Sequence, residues 1–177
     1  MKPTYTLLEH EKRVESLHDG DSTKIGLQPK MDCSGIWTEG YGKAMRFEGK
    51  YLKGIENKEL AYSLATIKTE KEAIENLKSR MIKVEEEVRK HLFVELKQYQ
   101  IDALTSHADN CGISPTLYNL INKGMFDDLK NFWTKNYVKS AGVRLPGLIK
   151  RRCTEYYWFS TGIYEIDAWK FYYDELK

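Results

Sequence analysis

Asp32-Cys33-Ser34-Gly35-Ile36-Trp37-Thr38-Glu39-Gly40-Tyr41-Gly42 is the stretch whose reading decides the fold. Ile36-Trp37-Thr38 and Tyr41 favour strands, and Ser34-Gly35 and Gly40 favour turns, so residues 31–45 are predicted to form a small twisted hairpin sheet, the only substantial β-structure of the chain. Upstream, Leu7, Leu8, Val14 and Leu17 mark one face of a short helix that Asp19-Gly20-Asp21 should stop, which puts Glu15 in or near its last turn. Between the two, residues 21–30 are polar and carry Gly26 and Pro29, as a connecting loop does.

Downstream the periodicity becomes helical. Thr69-x-x-Glu72 is a capping box, and Ile74, Leu77, Met81, Val84 and Val88 recur at three and four residues, predicting a long amphipathic helix. Shorter helices are expected over 98–108, stopped near Gly112; from the Ser114-Pro115 cap to Asn122; over 127–138; and from Pro146 to about Phe159, ending at Ser160-Thr161-Gly162. The tail from Tyr164 on, with Trp169, Phe171, Tyr172 and Tyr173, should pack on the body. The pattern is α+β and mainly α: a single domain over 1–177, with a β-containing lobe at about 15–68, a linking helix at about 69–92, and a helical lobe made by about 93–177 with the N-terminal helix.

Composition narrows the function classes. With 28 basic and 26 acidic residues among 177, the formal charge of +2 gives no polyanion-binding excess, so nucleic acid is not an expected partner. Cys33, Cys111 and Cys153 are odd in number and form no Cys-x-x-Cys pair, which predicts reduced thiols and no zinc knuckle. His10-Glu11 fails as a zinc-protease helix because the second histidine would fall at Val14. No cofactor or metal is implied. The first ten residues hold no apolar run of signal-peptide length and no segment approaches ~20 apolar residues, so no membrane insertion is expected.

Glu15, Asp32 and Thr38 together offer an acid, a base and a hydroxyl. Splitting an acetal between two sugars needs a proton on the departing oxygen and a water or nucleophile at the anomeric carbon. An acid must keep its proton, which apolar neighbours favour, and a base must stay ionised among polar groups. Glu15, between Val14 and Leu17, is therefore the better acid; Asp32, in its polar turn, is the better base; Thr38 could help to hold the water. Surface carboxylates are usually only solvated, so spacing alone leaves a catalytic pair a minority reading.

The ordered motifs strengthen it. Val14-Glu15-Ser16-Leu17 with Asp32 and Thr38-x-Gly40-x-Gly42 resembles the N-terminal lobe of the phage-type lysozymes, the muramidase endolysins among the glycoside hydrolases. Gln100-Ile101-Asp102-Ala103-Leu104-Thr105-Ser106 with Asn110-Cys111-Gly112, then Ser114 to Gly124, then Leu145-Pro146-Gly147-Leu148-Ile149-Lys150-Arg151-Arg152 with Glu155, are similar to motifs of the family's helical lobe. The resemblance implies a two-lobed lysozyme-like fold and hydrolysis, with inversion, of the β-1,4 bond between N-acetylmuramic acid and N-acetylglucosamine in peptidoglycan. It also implies Glu15, Asp32 and Thr38 as catalytic residues and glycan contacts at Thr116 and Asn131, to which the hairpin pattern adds Tyr41 as a candidate sugar contact. A monomer made in the bacterial cytoplasm without a signal peptide, acting on the wall after release by a holin-type partner, completes that picture.

Several positions depart from the family pattern. About a dozen extra residues, centred on 19–30, separate Glu15 from Asp32, and Glu11, one turn earlier, competes for the role of acid. Ser16 replaces the usual glycine, Lys43 the histidine that closes the hairpin, and His107 stands where an aromatic is common; Lys43 implies that a structural ion pair of the family is absent or rewired. Lys150-Arg151-Arg152 could grip a phosphate, yet Arg151 reaches Glu155 at i+4 and a structural pairing is the stronger reading. Cys33 and Cys153 read as semi-buried fillers, and Trp37 and Tyr41 are divided between core and sugar platform. Two other activities stay open: a lytic transglycosylase, which needs the acid but no positioned water, and a non-catalytic cell-wall-binding homologue.

Overall fold

In the computed structural model, which describes residues 3–140, 142–165 and 167–172, helices α1 (Tyr5–Glu15), α2 (Lys58–Leu64), α3 (Glu70–Lys90), α4 (Gln98–Cys111), α5 (Pro115–Asn122), α6 (Phe126–Lys135) and α7 (Pro146–Thr161) dominate. Strands β1 (Lys30–Met31), β2 (Trp37–Glu39) and β3 (Lys43–Ala44) make an antiparallel sheet in that order, while β4 (Arg46–Phe47) pairs with β5 (Lys50–Tyr51) and β6 (Lys139–Ser140) with β7 (Val143–Arg144). The chain divides into two compact units, residues 8–80 and residues 1–7 with 81–177.

The unit 8–80 carries the predicted hairpin sheet. Lys30 pairs with Thr38 and Met31 with Trp37 on one side, and Thr38 with Ala44 and Glu39 with Lys43 on the other. Trp37, Met45, Leu52 and Ala61 form its core, and the Trp37 indole donates to the Gly54 carbonyl at 2.7 Å, so the ring is buried without losing its polar contact. The loop at 19–30 is tied down: the Leu27 amide donates to the Lys68 carbonyl at 2.8 Å and the Lys24 ammonium lies over the Tyr62 ring.

Helix α1 stops at Glu15, earlier than its apolar face suggested. Ser16 adopts a left-handed backbone (φ 52) while its amide still donates to the Lys12 carbonyl at 3.1 Å, so the chain turns off the helix there, where the family pattern has glycine. Val14 is 40 % exposed and does not shield Glu15 as expected. The capping box of α3 is reciprocal: the Thr69 amide donates to Glu72 and the Glu72 amide to Thr69 Oγ1, at 3.0 and 3.2 Å.

In the unit formed by 1–7 and 81–177, Leu7, Leu104, Leu117, Ile121, Leu129, Trp133 and Trp158 make the core, each fully buried leucine contributing roughly 2 kcal/mol. Ser114 caps α5 as predicted, accepting from the Leu117 amide. The 127–138 helix begins at Phe126 and ends at Lys135: Asn136 is extended and Tyr137 left-handed (φ 57), and Val138 packs with Ile149 and Cys153. That hairpin, β4–β5 and α2 are not evident in the sequence, their elements being too short to show a period. Of the tail, Phe171 stacks on Tyr157 at 4.8 Å and Trp169 and Tyr172 pack against the Val138 group; Tyr173 lies outside the described residues. Among the cysteines, Cys153 is fully buried, whereas Cys33 is exposed at its turn rather than semi-buried.

Candidate active site

The hairpin turn fixes Asp32 first. Its Oδ1 accepts from the Ser34 and Ile36 amides, both at 2.8 Å, which locks the carboxylate onto the turn. The other oxygen, Oδ2, takes no hydrogen bond from the described residues and remains available as an acceptor. Asp32 is half-buried, beside the exposed Cys33 and Ser34.

Thr38 sits in the middle of the sheet at 4 % exposure. Its hydroxyl donates to the Lys30 carbonyl across the strand pair at 2.9 Å and makes a short contact with His18 Nδ1. His18 had escaped the sequence reading. It follows the helix-ending turn by two residues, and its main chain pairs with Gly40 through an amide that donates to the Gly40 carbonyl at 2.9 Å. Burial first, and then Lys30, hold the imidazole pKa below the usual histidine value, while Glu15 and Asp32 pull the other way. The one available sequence signal was a histidine three residues beyond the candidate acid, in a loop with no apolar face of its own.

Glu15 ends α1 with its side chain against the same hairpin. Gly42 has φ +75, and a Cβ built on it would lie 2.5 Å from Glu15 Oε2, so glycine lets this carboxylate lie against the hairpin in a place from which a larger residue would push it aside. Glu11 is fully buried, whereas Glu15 is partly open. A proton donor for a polymeric substrate must be reachable, which separates the two glutamates in favour of Glu15.

Tyr41, a candidate sugar contact from the hairpin pattern, is 6 % exposed and its hydroxyl donates to Glu70 at 3.1 Å. Burial and Glu70 push that hydroxyl up to about 12, so it remains a donor to the carboxylate. With the ring enclosed, Tyr41 packs the hairpin and offers no stacking face. Thr116 and Asn131 are exposed, in the first turn of α5 and on α6.

Lys43 shows how the hairpin closes without the family's histidine. Its ammonium donates to Glu39 Oε1 at 2.6 Å, and Glu39, itself buried, also accepts from the Thr66 amide and hydroxyl and from the Ile67 amide. Burial opposes the charge on Glu39, but these donors outweigh it and hold the carboxyl below its usual range. Lys43 and Glu39 thus close the hairpin with an ion pair of their own.

The second polar cluster is structural. Glu155 Oε1 accepts from Arg152 at 2.6 Å, Arg151 at 3.3 Å and Ser106 at 2.9 Å, and Oε2 from the Trp133 indole at 3.2 Å. All are buried, so the basic run after Pro146 grips this carboxylate.

The comparisons with known proteins fit this geometry. A family model described as phage lysozyme matches residues 23–155, more than half of the chain. The chain belongs to the phage lysozyme family. That match covers Asp32 and Thr38 but begins after Glu15, so the choice of glutamate rests on the geometry of α1 and Gly42. The chain is 33 % identical over 144 residues to an endolysin of Bacillus phage B103, a match that covers 79 % of this chain and 54 % of that protein, so the chain spans about half the length of this curated relative. Among solved structures it is similar to an endolysin from Escherichia coli O157:H7 phage FAHEc1, at TM-score 0.66 and 26 % identity, over 93 % of this chain and 97 % of that one. The muramidase domain of SpmX from Asticcacaulis excentricus shares the fold at TM-score 0.64 and 24 % identity, over 90 % of this chain and 98 % of that one. The fold is lysozyme-like, α+β and mainly α.

Proposed function

We propose that this lysozyme-family chain is a glycoside hydrolase of bacterial peptidoglycan that cuts the β-1,4 bond between N-acetylmuramic acid and N-acetylglucosamine. The observation that carries the reading is the seat of Glu15: a reachable carboxyl at a helix end, fitted against Gly42 of the hairpin that also holds Asp32 and Thr38. Glu15 gives its proton to the glycosidic oxygen as the C–O bond breaks. A water oxygen attacks the anomeric carbon from the opposite face, its proton passes to Asp32 Oδ2, and the product has inverted configuration. The two main-chain bonds to Oδ1 orient that base before substrate arrives. Proton exchange with solvent then restores both carboxyls.

Thr38 contributes less than Asp32, because its hydroxyl already serves Lys30 and His18 and little of it is open. Thr116 and Asn131, exposed on their helices, contact the glycan. The enzyme acts as a monomer on the wall, after release from the cytoplasm through a holin-type lesion. A lytic transglycosylase would use Glu15 alone and close an anhydro ring on the muramic acid; an aspartate held ready for a water favours hydrolysis. A wall-binding protein without activity would have no need of a carboxyl in the place of a Cβ.

Mass spectrometry of digested peptidoglycan tests the reading. Muropeptides with reducing N-acetylmuramic acid ends are expected. Anhydro ends would replace hydrolysis by the transglycosylase reaction, and the absence of soluble products would leave a binding module.

A further inference from the structure

The start of α4, the start of α6 and the end of α7 leave between them a cavity of about 260 Å³ that holds none of the candidate catalytic residues. Leu129 and Phe159, both buried, make its floor, and the rings of Tyr99, Tyr156 and Phe126 make its walls, Phe126 being 52 % exposed. Pockets for drug-sized molecules run to roughly 300–1,000 Å³, so this one has room for a single ring with a short substituent. Among the described residues no charged side chain lines it. Burial, then Tyr172 and Asp127, hold the Tyr156 hydroxyl above its usual pKa, so the phenol stays neutral and an entering carboxylate would meet the charge of Asp127.

Two polar side chains of the lining have their roles set by the main chain. Gln100 Oε1 accepts from the Lys97 amide at 3.0 Å as part of the α4 cap, which leaves the Gln100 nitrogen, with its two N–H groups, to donate elsewhere. Ser160 Oγ gives its proton to the Tyr157 carbonyl at 3.2 Å and keeps its lone pairs to accept. An acetamido group is the complement of this pair: a carbonyl that accepts, an N–H that donates, and a methyl suited to an apolar floor.

We propose that this cavity is a second, non-catalytic sugar site, taking one neutral N-acetylated pyranose: N-acetylglucosamine, and not the carboxylated N-acetylmuramic acid. The acetamido carbonyl accepts from Gln100 Nε2, its N–H donates to Ser160 Oγ, its methyl lies on Leu129 and Phe159, and the apolar face of the ring stacks on an aromatic wall. Phe126 and Leu129, three apart on α6, share a face that Asn131, two residues on, does not, so the site is separate from the glycan contact at Asn131. Such a site holds the wall polymer whether or not a bond is being cut. The inference takes the choice of sugars from the peptidoglycan reading and nothing from the acid–base assignment.

Titration of the 15N-labelled full chain with methyl β-N-acetylglucosaminide, which has no bond between sugars to cut, tests the site by NMR. Backbone amides of residues 99–100, 126–129 and 156–160 should shift along one saturable curve, separate from any response of the residues around Asp32. Methyl β-glucoside, which lacks the acetamido group, and the methyl glycoside of N-acetylmuramic acid, which adds a carboxylate, should each bind at least about tenfold more weakly. Gln100→Glu keeps the acceptor for the Lys97 amide and loses the donor, so it should weaken the sugar about tenfold with the denaturation midpoint kept; Ser160→Ala, at an exposed position, should weaken it about fivefold. Unmoved amides in these segments, equal affinity for the glucoside, or wild-type affinity in both variants would each overturn the proposal. Shifts of the same amides with protein concentration and no sugar would give the cavity to a second copy of the chain and overturn it too. Sugar binding here by a chain that releases no reducing ends would leave this site standing and overturn the hydrolase reading alone.

Discussion

The Glu155 cluster and the Glu15 hairpin use the same residue types to opposite ends. Glu155 is surrounded by donors on both oxygens, closed off from water, and spends its charge on holding α7 to Ser106 of α4 and Trp133 of α6. Among the described residues Asp32 has donors on one oxygen only, and Glu15 lies partly open against a glycine. A carboxylate whose partners are complete is structural, because any change in its charge must undo several bonds. A carboxylate such as Asp32, with one oxygen fixed and the other without a donor among the described residues, can take a proton from a water. How fully each oxygen is partnered, rather than burial alone, separates Glu155 from Asp32.

If this contrast is sound, changes in the closed cluster should cost stability, and changes at the open one should cost turnover. The largest stability effect is expected for Glu155→Ala, which leaves Arg151 and Arg152 buried without their carboxylate; chemical denaturation should show a loss of roughly 3–5 kcal/mol. A loss under about 1 kcal/mol would break the comparison. At the hairpin, Asp32→Asn should lower turnover by about 10²–10³-fold with the denaturation midpoint nearly unchanged, and Thr38→Ala by less, the two together falling short of additive because they share one water. Fully additive losses would assign them separate roles.

His107 sharpens the comparison through pH. It is fully buried, edge-on to Trp133 and Tyr137, and burial lowers its pKa to about 4, with Arg152 and Arg151 reinforcing that and Glu155 opposing it. The unfolded chain takes up this proton near the ordinary value of ~6.5. Stability is therefore complete above that pH and is lost as pH falls from about 6.5 toward 4, by on the order of 3 kcal/mol at most. His107→Phe, keeping the ring contacts, should flatten that part of the stability–pH curve relative to wild type. An unchanged slope would remove His107 from the account. The smallest effect is at Ser16: Ser16→Gly relieves a left-handed non-glycine residue and should stabilise by roughly 1 kcal/mol without changing turnover.

The sequence showed the hairpin, the long capped helix and most of the helices after it, because each carries a strong local signal: glycines at fixed offsets, a reciprocal Thr69/Glu72 cap, a Ser114-Pro115 start. It also showed that Arg151 reaches Glu155. The two-residue strands β4–β7 and the short α2 carry no period long enough to read. The place of Glu15 in the last turn of α1 is legible, but the stop itself is not, because Leu17 continues the apolar spacing and the left-handed turn at Ser16 falls on a residue that does not advertise it. Of the candidate site, Asp32 and Thr38 are singled out by the glycine-punctuated hairpin motif and its resemblance to the family rather than by spacing alone. The enclosure of Tyr41 and the contact of His18 with Thr38 depend on how strands and loop meet in three dimensions, and no spacing in the chain encodes them. The choice between Glu11 and Glu15 was open in the sequence for the same reason, since both lie on one helix and only burial tells them apart.

That choice is where the central claim is tested most directly. Release of reducing ends from a defined, uncharged glycan fragment should be measured for Glu15→Gln and Glu11→Gln, each checked for its denaturation midpoint. Glu15→Gln should be folded and slower by about 10³-fold or more, because the amide keeps the shape and has no proton to give. Glu11→Gln should keep turnover within about tenfold of wild type when normalised to folded protein. A folded Glu15→Gln variant with near wild-type release, or a folded Glu11→Gln variant that is inactive, would contradict the assignment of the acid and the reading of the hairpin built on it.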